Sequence, residues 1–386
     1  LNGGFRFVLG AFLASRALFL AAGALAAALL PRSEPGGEPL ETPGILSYWA
    51  HWDGAWYSEI ALEGYEVRAP ESTAFFPLYP MLVRAGAALG GGPALWGVFF
   101  SLVFTLLALY FLYRLAETLW SGEAARAATL ALAFFPTAFF LNAAYTEALF
   151  LALTTGAVWA VRVRRDMLLA GVLGSLAALT RNAGVLVVIP LLYEWYRGRD
   201  SFGWRGAAAL ALPPLGLAAY MAYLRQRFGD PLLFARQQEE YWGREFTAPP
   251  ETLRAAWQAA GEGLPYLMDP GALFLDPSAA PALAASNALN LAFFGLLAAL
   301  LAAALLLLPP GLSLYALALT VPPLLVPGPL FPLMSLPRFM LGAFPLFLVL
   351  GVLLARSRWL LAAWLAASSA AGVLLAALFA SWRWVA

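Results

Sequence analysis

Runs of about 20 apolar residues, the length that crosses a bilayer as a helix, recur from end to end of this chain. The clearest are Phe7–Leu30, Leu95–Leu115, Gly206–Leu224, Ala288–Leu308 and Leu360–Ala380. They commit the chain to a membrane, and composition agrees: 62% of its 386 residues are hydrophobic and 12% are charged, with a mean hydropathy of +0.76. Soluble domains carry about 25% charged residues. An all-α polytopic fold is expected, organised as a single membrane domain over residues 1–386. The first run exceeds the ~7–15 residues of a signal-peptide core and Arg16 interrupts it, so it is expected to stay as an anchor.

Between the clear runs, polar breaks decide the threading. Ala128–Val161 contains Pro136 and "NAAYTE", and Leu168–Trp195 contains "TRNAG". As single helices these would hold charges near the bilayer centre, which is costly. As pairs of short helices they place Glu147 and Arg181 at outer turns. They also place "RVRRD" (Arg162–Asp166) and "RGRD" (Arg197–Asp200) on the inner side, where short loops collect arginine. With Leu312–Val326 and Phe339–Ala355 this predicts about 11 spans, N-terminus inside. The inner side then carries eleven arginines and five acids, the outer side eleven arginines and seventeen acids, with Arg16 in the membrane. Helices of half length must lie in thinned membrane or be buried against neighbours. The hydrophilic segments 31–94 and 225–287 fall on the outer face, and polar chemistry gathers there.

Several classes are disfavoured. There is no cysteine and one histidine, which leaves no thiolate ligands and argues against a zinc site. No GxxxxGK[ST], GxGxxG or Asp-x-Asp occurs, so a nucleotide-driven pump or a soluble-type nucleotide-sugar enzyme is not expected. All 23 basic residues are arginine, which fits a GC-rich source. The chain shows no convincing internal repeat.

The segment "YWAHWDGAWY" places Asp53 and the lone His51 among aromatics. Trp49, Trp52, Trp56 and Ile60 follow the stripe of a helix lying on a membrane surface, over Ile45–Ala61. Asp53 and Tyr57 share a face at i, i+4, whereas His51 does not face Asp53, so a His–Asp dyad is not expected. Spacing alone leaves open whether Asp53 is an ordinary interfacial carboxylate or a catalyst. In "AFFPLYPML" two prolines defer an uninterrupted helix until after Pro80, and Tyr79 is a candidate for lining a groove. In "FLNAAYTEALF", Asn142 or Thr146 can cap the next helix, with Glu147 at its positive end; ligand binding is the alternative. Arg181 of "LTRNAGVL" and Arg338 of "SLPRFML" are arginines at membrane depth, each of which must pair or meet an anion, Glu147 being one candidate partner for Arg181. Arg16 reads as an interhelical pairing residue. In "FGDPLLFARQQEEYWGRE", Glu239 and Glu240 read as a solvated face, and Trp242 and Arg244 can hold a sugar or phosphate.

Taken together, "HWDGAWY" followed by Gly64 and Tyr65, "FFPLYP", "YTEALF", "LTRNAG", "FGDPLLFARQQ" with "WGR", and "LPRF" resemble the PIG-V-like mannosyltransferases, related to GPI mannosyltransferase II, within the GT-C membrane glycosyltransferases. The ordered set extends over nearly the whole chain. The resemblance implies a GT-C-like fold with interfacial helices in the first outer loop and an active site at the outer surface of the membrane. It also implies a polyprenyl-phosphate-linked sugar donor, usually mannose, and Asp53 as catalytic base. Arg181, Arg338 and Arg244 are then candidates for the donor phosphate, with His51, Trp52, Tyr57, Tyr79, Asn142, Glu147 and Trp242 as supporting residues.

The expectation is an inverting hexosyltransferase acting on a lipid or glycolipid acceptor. No obligatory metal or cofactor and no nucleic acid partner are expected. The setting expected is a bacterial cytoplasmic membrane, with membrane lipids as neighbours. The competing classes are a secondary transporter or lipid flippase, and a noncatalytic lipid-binding subunit. Transporters commonly show internal repeats and sites near the midplane.

Overall fold

The computed structural model describes residues 3–33 and 46–385 and is built of helices. Helix α1 (Gly3–Leu29) is followed by α2 (Asp53–Glu63), α3 (Leu78–Ala87), α4 (Pro93–Leu119), α5 (Gly122–Ala133) and α6 (Glu147–Arg162). Next come α7 (Met167–Thr180), α8 (Val188–Arg197), α9 (Arg199–Ala209), α10 (Leu212–Phe228) and α11 (Leu233–Glu240). The last third holds α12 (Pro249–Leu267), α13 (Pro270–Phe274), α14 (Ala280–Leu307), α15 (Pro310–Thr320), α16 (Pro322–Leu325), α17 (Leu336–Gly342), α18 (Phe344–Leu354) and α19 (Arg358–Ala380). Side chains set several starts. Ser121 accepts from the Ala124 N–H to cap α5, and Asp166 accepts from the Leu169 N–H to cap α7.

Five segments are long and apolar enough to cross a membrane: Gly3–Leu29, Pro93–Leu119, Arg199–Phe228, Ala280–Leu307 and Arg358–Ala380. These are the five runs that stand out in the sequence, and the chain is an integral membrane protein. A sixth crossing is formed if α17 and α18, bent by 83° at their junction, act as one. By length and apolarity alone, five or six of the expected eleven crossings stand out. Helices α5, α6, α7, α8, α15 and α18 hold 10 to 16 residues, which reach ~15–24 Å against a hydrocarbon core of ~30 Å. The helix pairs do form on either side of breaks at 134–146 and 181–187; α5 and α6 are largely buried inside the bundle, whereas α7 and α8 leave Leu168, Val172 and Leu192 exposed. Every residue of α6 except Trp159 and Arg162 is buried, among α4, α7, α8 and α17.

A buried non-helical backbone must find donors for its carbonyls, and the 134–146 break finds them on three helices. From α1, Arg16 donates to the Ala133 and Ala138 carbonyls at 2.7 and 2.8 Å and to Asn142 Oδ1 at 2.7 Å. From α4, the Ser101 and Thr105 hydroxyls donate to the Ala143 and Leu141 carbonyls at 2.6 and 3.0 Å. From α19, Ser368 donates to the Phe134 carbonyl at 2.6 Å. Arg16 is thus the interhelical residue its position implied, and Asn142 is fully buried as its acceptor rather than capping α6.

Three local expectations are corrected. The tryptophan stripe does not belong to one surface helix. Ser47–Trp49 is a single turn, α2 starts only at Asp53, and Ile45 lies outside the described residues. Trp49 is fully buried against Phe139 and Phe379, while Trp56 stacks on Phe75, so these rings pack on protein. Helix α3 begins at Leu78, before Pro80, because a proline in the first turn removes an N–H that has no intrahelical partner anyway. The outer segment expected over 225–287 is shorter, since α10 runs to Phe228 and α14 starts at Ala280; α12 packs along α14 between them.

Candidate active site

Four charged side chains from four sequence segments form one alternating chain. Asp53, the first residue of α2, lies with Oδ2 2.7 Å from Arg338 Nη1. Arg338 Nε lies 3.2 Å from Glu147 Oε1, without hydrogen-bond alignment. The same Glu147 oxygen accepts from Arg181 Nη1 at 3.1 Å. Glu147, at the start of α6, is therefore shared by two guanidinium groups at a helix N-terminus, where negative charge is favoured. The side chain of Glu147 is 1% exposed and that of Asp53 is 26% exposed, so of the two carboxylates only Asp53 can meet an incoming group.

Local chain geometry explains why these segments converge. Arg181 ends α7 in an extended conformation and the chain folds back at once: a Cβ on Gly184 would lie 2.1 Å from the Ala177 carbonyl oxygen. Only glycine permits that return, which accounts for the "RNAG" spelling. Gly54 lets α2 settle on the break, where a Cβ would come within 3.2 Å of the Ala144 carbonyl. Trp52, directly before Asp53, and Ser335, directly before the helix α17 that carries Arg338, hold φ of 54° and 64°. Such left-handed conformations cost about 1 kcal/mol or more for a residue with a side chain.

Asp53, Arg181 and Arg338 open onto a cavity of about 630 Å³, together with Tyr57, Trp242 and Arg244. Leu186, Leu217, Leu319 and Val326 supply apolar wall. Tyr57 is buried with its hydroxyl 3.2 Å from Thr146 Oγ1, and burial pushes its phenol above the ordinary range, so it stays protonated. Arg244 is half-buried; its Nε has no hydrogen-bond partner and its Nη2 has only the Met334 sulfur, at 3.9 Å. Burial lowers the pKa of Arg244 from its ordinary value, Arg338 adds to that, and Asp53 opposes it. Three guanidinium groups thus face two carboxylates, and the surplus charge rests on Arg244.

The remaining candidates lie elsewhere. Tyr79 is fully buried, donates to the Gly97 carbonyl at 3.0 Å, and does not line the cavity. His51 sits between Phe379 and Trp382, with ring centroids 5.8 and 3.9 Å away. Burial and then the charge of Arg32 push its imidazole down to about 3, against a backbone contact from Ala380, so it is neutral at any ordinary pH. Trp52 packs edge-on against Trp382 and Trp384. Asn142 is occupied by Arg16. Glu239 and Glu240 are exposed, as expected, though Glu240 also accepts from buried Gln237. Among the described residues, no group of three His, Asp or Glu side chains is disposed to hold a metal. Sequence reasoning missed Gln238 and Trp384, both of which line the cavity. The alternating tryptophans of the terminal "SWRWVA" were the available signal for Trp384.

A family model described as dolichyl-phosphate-mannose-protein mannosyltransferase matches residues 71–221. Over that stretch the chain is similar to the family. The matched part contains Glu147 and Arg181 but not Asp53, Arg244 or Arg338. Among solved structures, the chain is similar to ArnT from Cupriavidus metallidurans bound to undecaprenyl phosphate, with a TM-score of 0.48 and 16% identity, covering 88% of this chain and 60% of that one. It is also similar to the Archaeoglobus fulgidus oligosaccharyltransferase in complex with Zn and sulfate, with a TM-score of 0.45 and 16% identity, covering 95% of this chain and 53% of that one. The chain therefore spans 60% or less of the length of these structures. No curated protein matches it.

Proposed function

We propose that this chain is an inverting GT-C-type glycosyltransferase that moves a hexose, mannose in the simplest case, from a polyprenyl-phosphate donor to a lipid or glycolipid acceptor. The carrying observation is the pairing of a reachable carboxylate, Asp53, with Arg338 in a cavity that also holds the under-compensated Arg244. A phosphodiester-linked donor brings one negative charge, which balances the surplus guanidinium. Apolar walls at Leu186, Leu217 and Leu319 suit the isoprenoid chain beside that headgroup. The partial match to a dolichyl-phosphate-mannose-using family supports the same donor class.

In the proposed reaction, the acceptor hydroxyl oxygen attacks the anomeric carbon and its proton passes to the Asp53 carboxylate. The bond from that carbon to the phosphate oxygen breaks, its electron pair stays on the phosphate, and configuration inverts. The leaving phosphate gains a negative charge, which Arg338 and Arg244 stabilise, with Arg181 behind them through Glu147. This site and the Arg162–Glu194 pair lie at opposite ends of α6, ~24 Å apart along a 16-residue helix. Arg162, Arg164 and Arg165 at the far end support an inner side there and an active site on the outer face of a bacterial cytoplasmic membrane.

Incubating the purified protein with labelled polyprenyl-phosphate mannose and a lipid extract of its source, followed by product identification, tests donor and acceptor together. A mannosylated lipid of inverted configuration is expected. Movement of the lipid across sealed vesicles without any transfer would overturn the proposal in favour of a flippase.

A further inference from the structure

Two tryptophans line the cavity, and they are held from opposite sides. Trp242 packs against Phe75 and Tyr241, two residues from Arg244, the group suited to phosphate. Trp384 packs edge-on against Trp52 at 5.1 Å, and Trp52 directly precedes Asp53. Trp384 is thereby registered to the carboxylate rather than to the phosphate-binding arginine.

The segment carrying Trp384 is built as a rigid strap after α19. Arg383 is fully buried and donates to the carbonyls of Pro31, Ser381 and Asp276 at 2.8, 3.2 and 2.9 Å. The Ser33 N–H donates to the Ser381 carbonyl at 3.0 Å. Trp382 takes φ of 64° and packs on His51 and Trp52. These contacts turn alternate side chains of 382–384 to different tasks: Trp382 and Arg383 anchor, and Trp384 reaches the cavity. The indole N–H of Trp384 is buried and has no hydrogen-bond partner, although a buried indole usually finds one.

We propose that Trp384 is the platform on which the hexose ring of the donor rests, its indole ring stacking against sugar C–H groups. An indole face carries negative potential that suits the weakly positive C–H hydrogens of a pyranose. A rigid platform fixed to Asp53 through Trp52 holds the anomeric carbon in reach of the acceptor and the base. This inference rests on the glycosyl-transfer reading of the site and adds the residue that recognises the sugar.

Equilibrium binding of two lipids tests it, with polyprenyl-phosphate mannose and sugar-free polyprenyl phosphate measured on the unaltered protein, Trp384→Ala and Trp384→Phe. The unaltered protein is expected to bind the mannosylated lipid more tightly. Trp384→Ala should lose that gain, about tenfold, while keeping its affinity for polyprenyl phosphate. Trp384→Phe, which keeps a smaller ring, should retain part of the gain; it decides the matter if the alanine variant fails to fold. A full sugar-dependent gain in both variants, or no gain in the unaltered protein, overturns the platform. Binding of neither lipid by the unaltered protein overturns the reading of the site itself, and the platform with it.

Discussion

Arg16 and Arg244 are both arginines withdrawn from bulk solvent, and they are used in opposite ways. Arg16 spends its guanidinium on two backbone carbonyls and Asn142, all neutral acceptors within 2.8 Å. Arg244 reaches a single sulfur at 3.9 Å and faces a cavity. A saturated fork is a structural clamp, here holding the buried 134–146 break against α1. An unsaturated one that shares a cavity with a partly exposed carboxylate is what the proposed function reads as a receptor for an anion. Arg338 stands between these extremes, since it is paired to Asp53 and Glu147 yet still lines the cavity.

That contrast can be broken at several points. The largest effect is expected for Arg338→Gln, which removes charge from both Asp53 and the leaving phosphate. Turnover should fall roughly 10²- to 10³-fold, read as labelled sugar transferred per folded molecule, and a variant with near-normal turnover would remove Arg338 from the chemistry. Arg16→Leu should instead act on stability. Three buried acceptors lose their donor, at a cost of about 3 kcal/mol or more, seen as a lowered thermal midpoint in detergent with donor affinity per folded molecule unchanged. If Arg16→Leu spared stability and weakened binding, the two arginines would have been assigned the wrong way round. Arg244→Ala should leave the midpoint in place and weaken polyprenyl phosphate binding about tenfold, the scale of one charge-assisted hydrogen bond. A fall in stability without loss of affinity would contradict the receptor role.

Near neutral pH the smallest effect concerns His51. Its folded-state imidazole is held near 3, against 6.5 when free, so the unfolded chain takes up the proton first. Stability should hold above about 6.5 and decline as pH falls from there toward 3. His51→Phe should flatten that decline without touching transfer, as thermal melts across pH would record. An unchanged decline in His51→Phe would place the titrating group elsewhere.

The bilayer crossings were legible because a run of apolar residues is a local signal, and all five appear where hydropathy puts them. Local reading is less decisive at the short helices α5, α6, α7 and α18. A helix buried in protein and a helix buried in lipid have the same composition, and only length against ~30 Å separates them. The aromatic stripe misled for a related reason. Trp49 and Trp56 keep helical spacing, yet the backbone reverses at Trp52 with φ of 54° and sends the rings to different neighbours.

Much of the site was visible as residue types in short segments, because arginines and carboxylates at membrane depth demand partners. Their mutual pairing was visible only in part. That Glu147 meets Arg181 followed from placing both at adjoining turns of paired helices, whereas Asp53 meeting Arg338 depends on contacts 285 positions apart in the chain. Trp384 was missed because an aromatic near a chain end carries no charge to flag it, and its place in the cavity depends on the anchoring of Arg383 at Pro31 and Asp276.

The central claim, that Asp53 is the base of a sugar transfer, is tested most directly by Asp53→Asn. Donor binding and single-turnover transfer should be measured on the same preparation. The substitution keeps shape and removes the basic oxygen. Binding of polyprenyl-phosphate mannose should persist while transfer falls by about 10²-fold or more. Transfer at near-normal rate with binding intact would contradict the account.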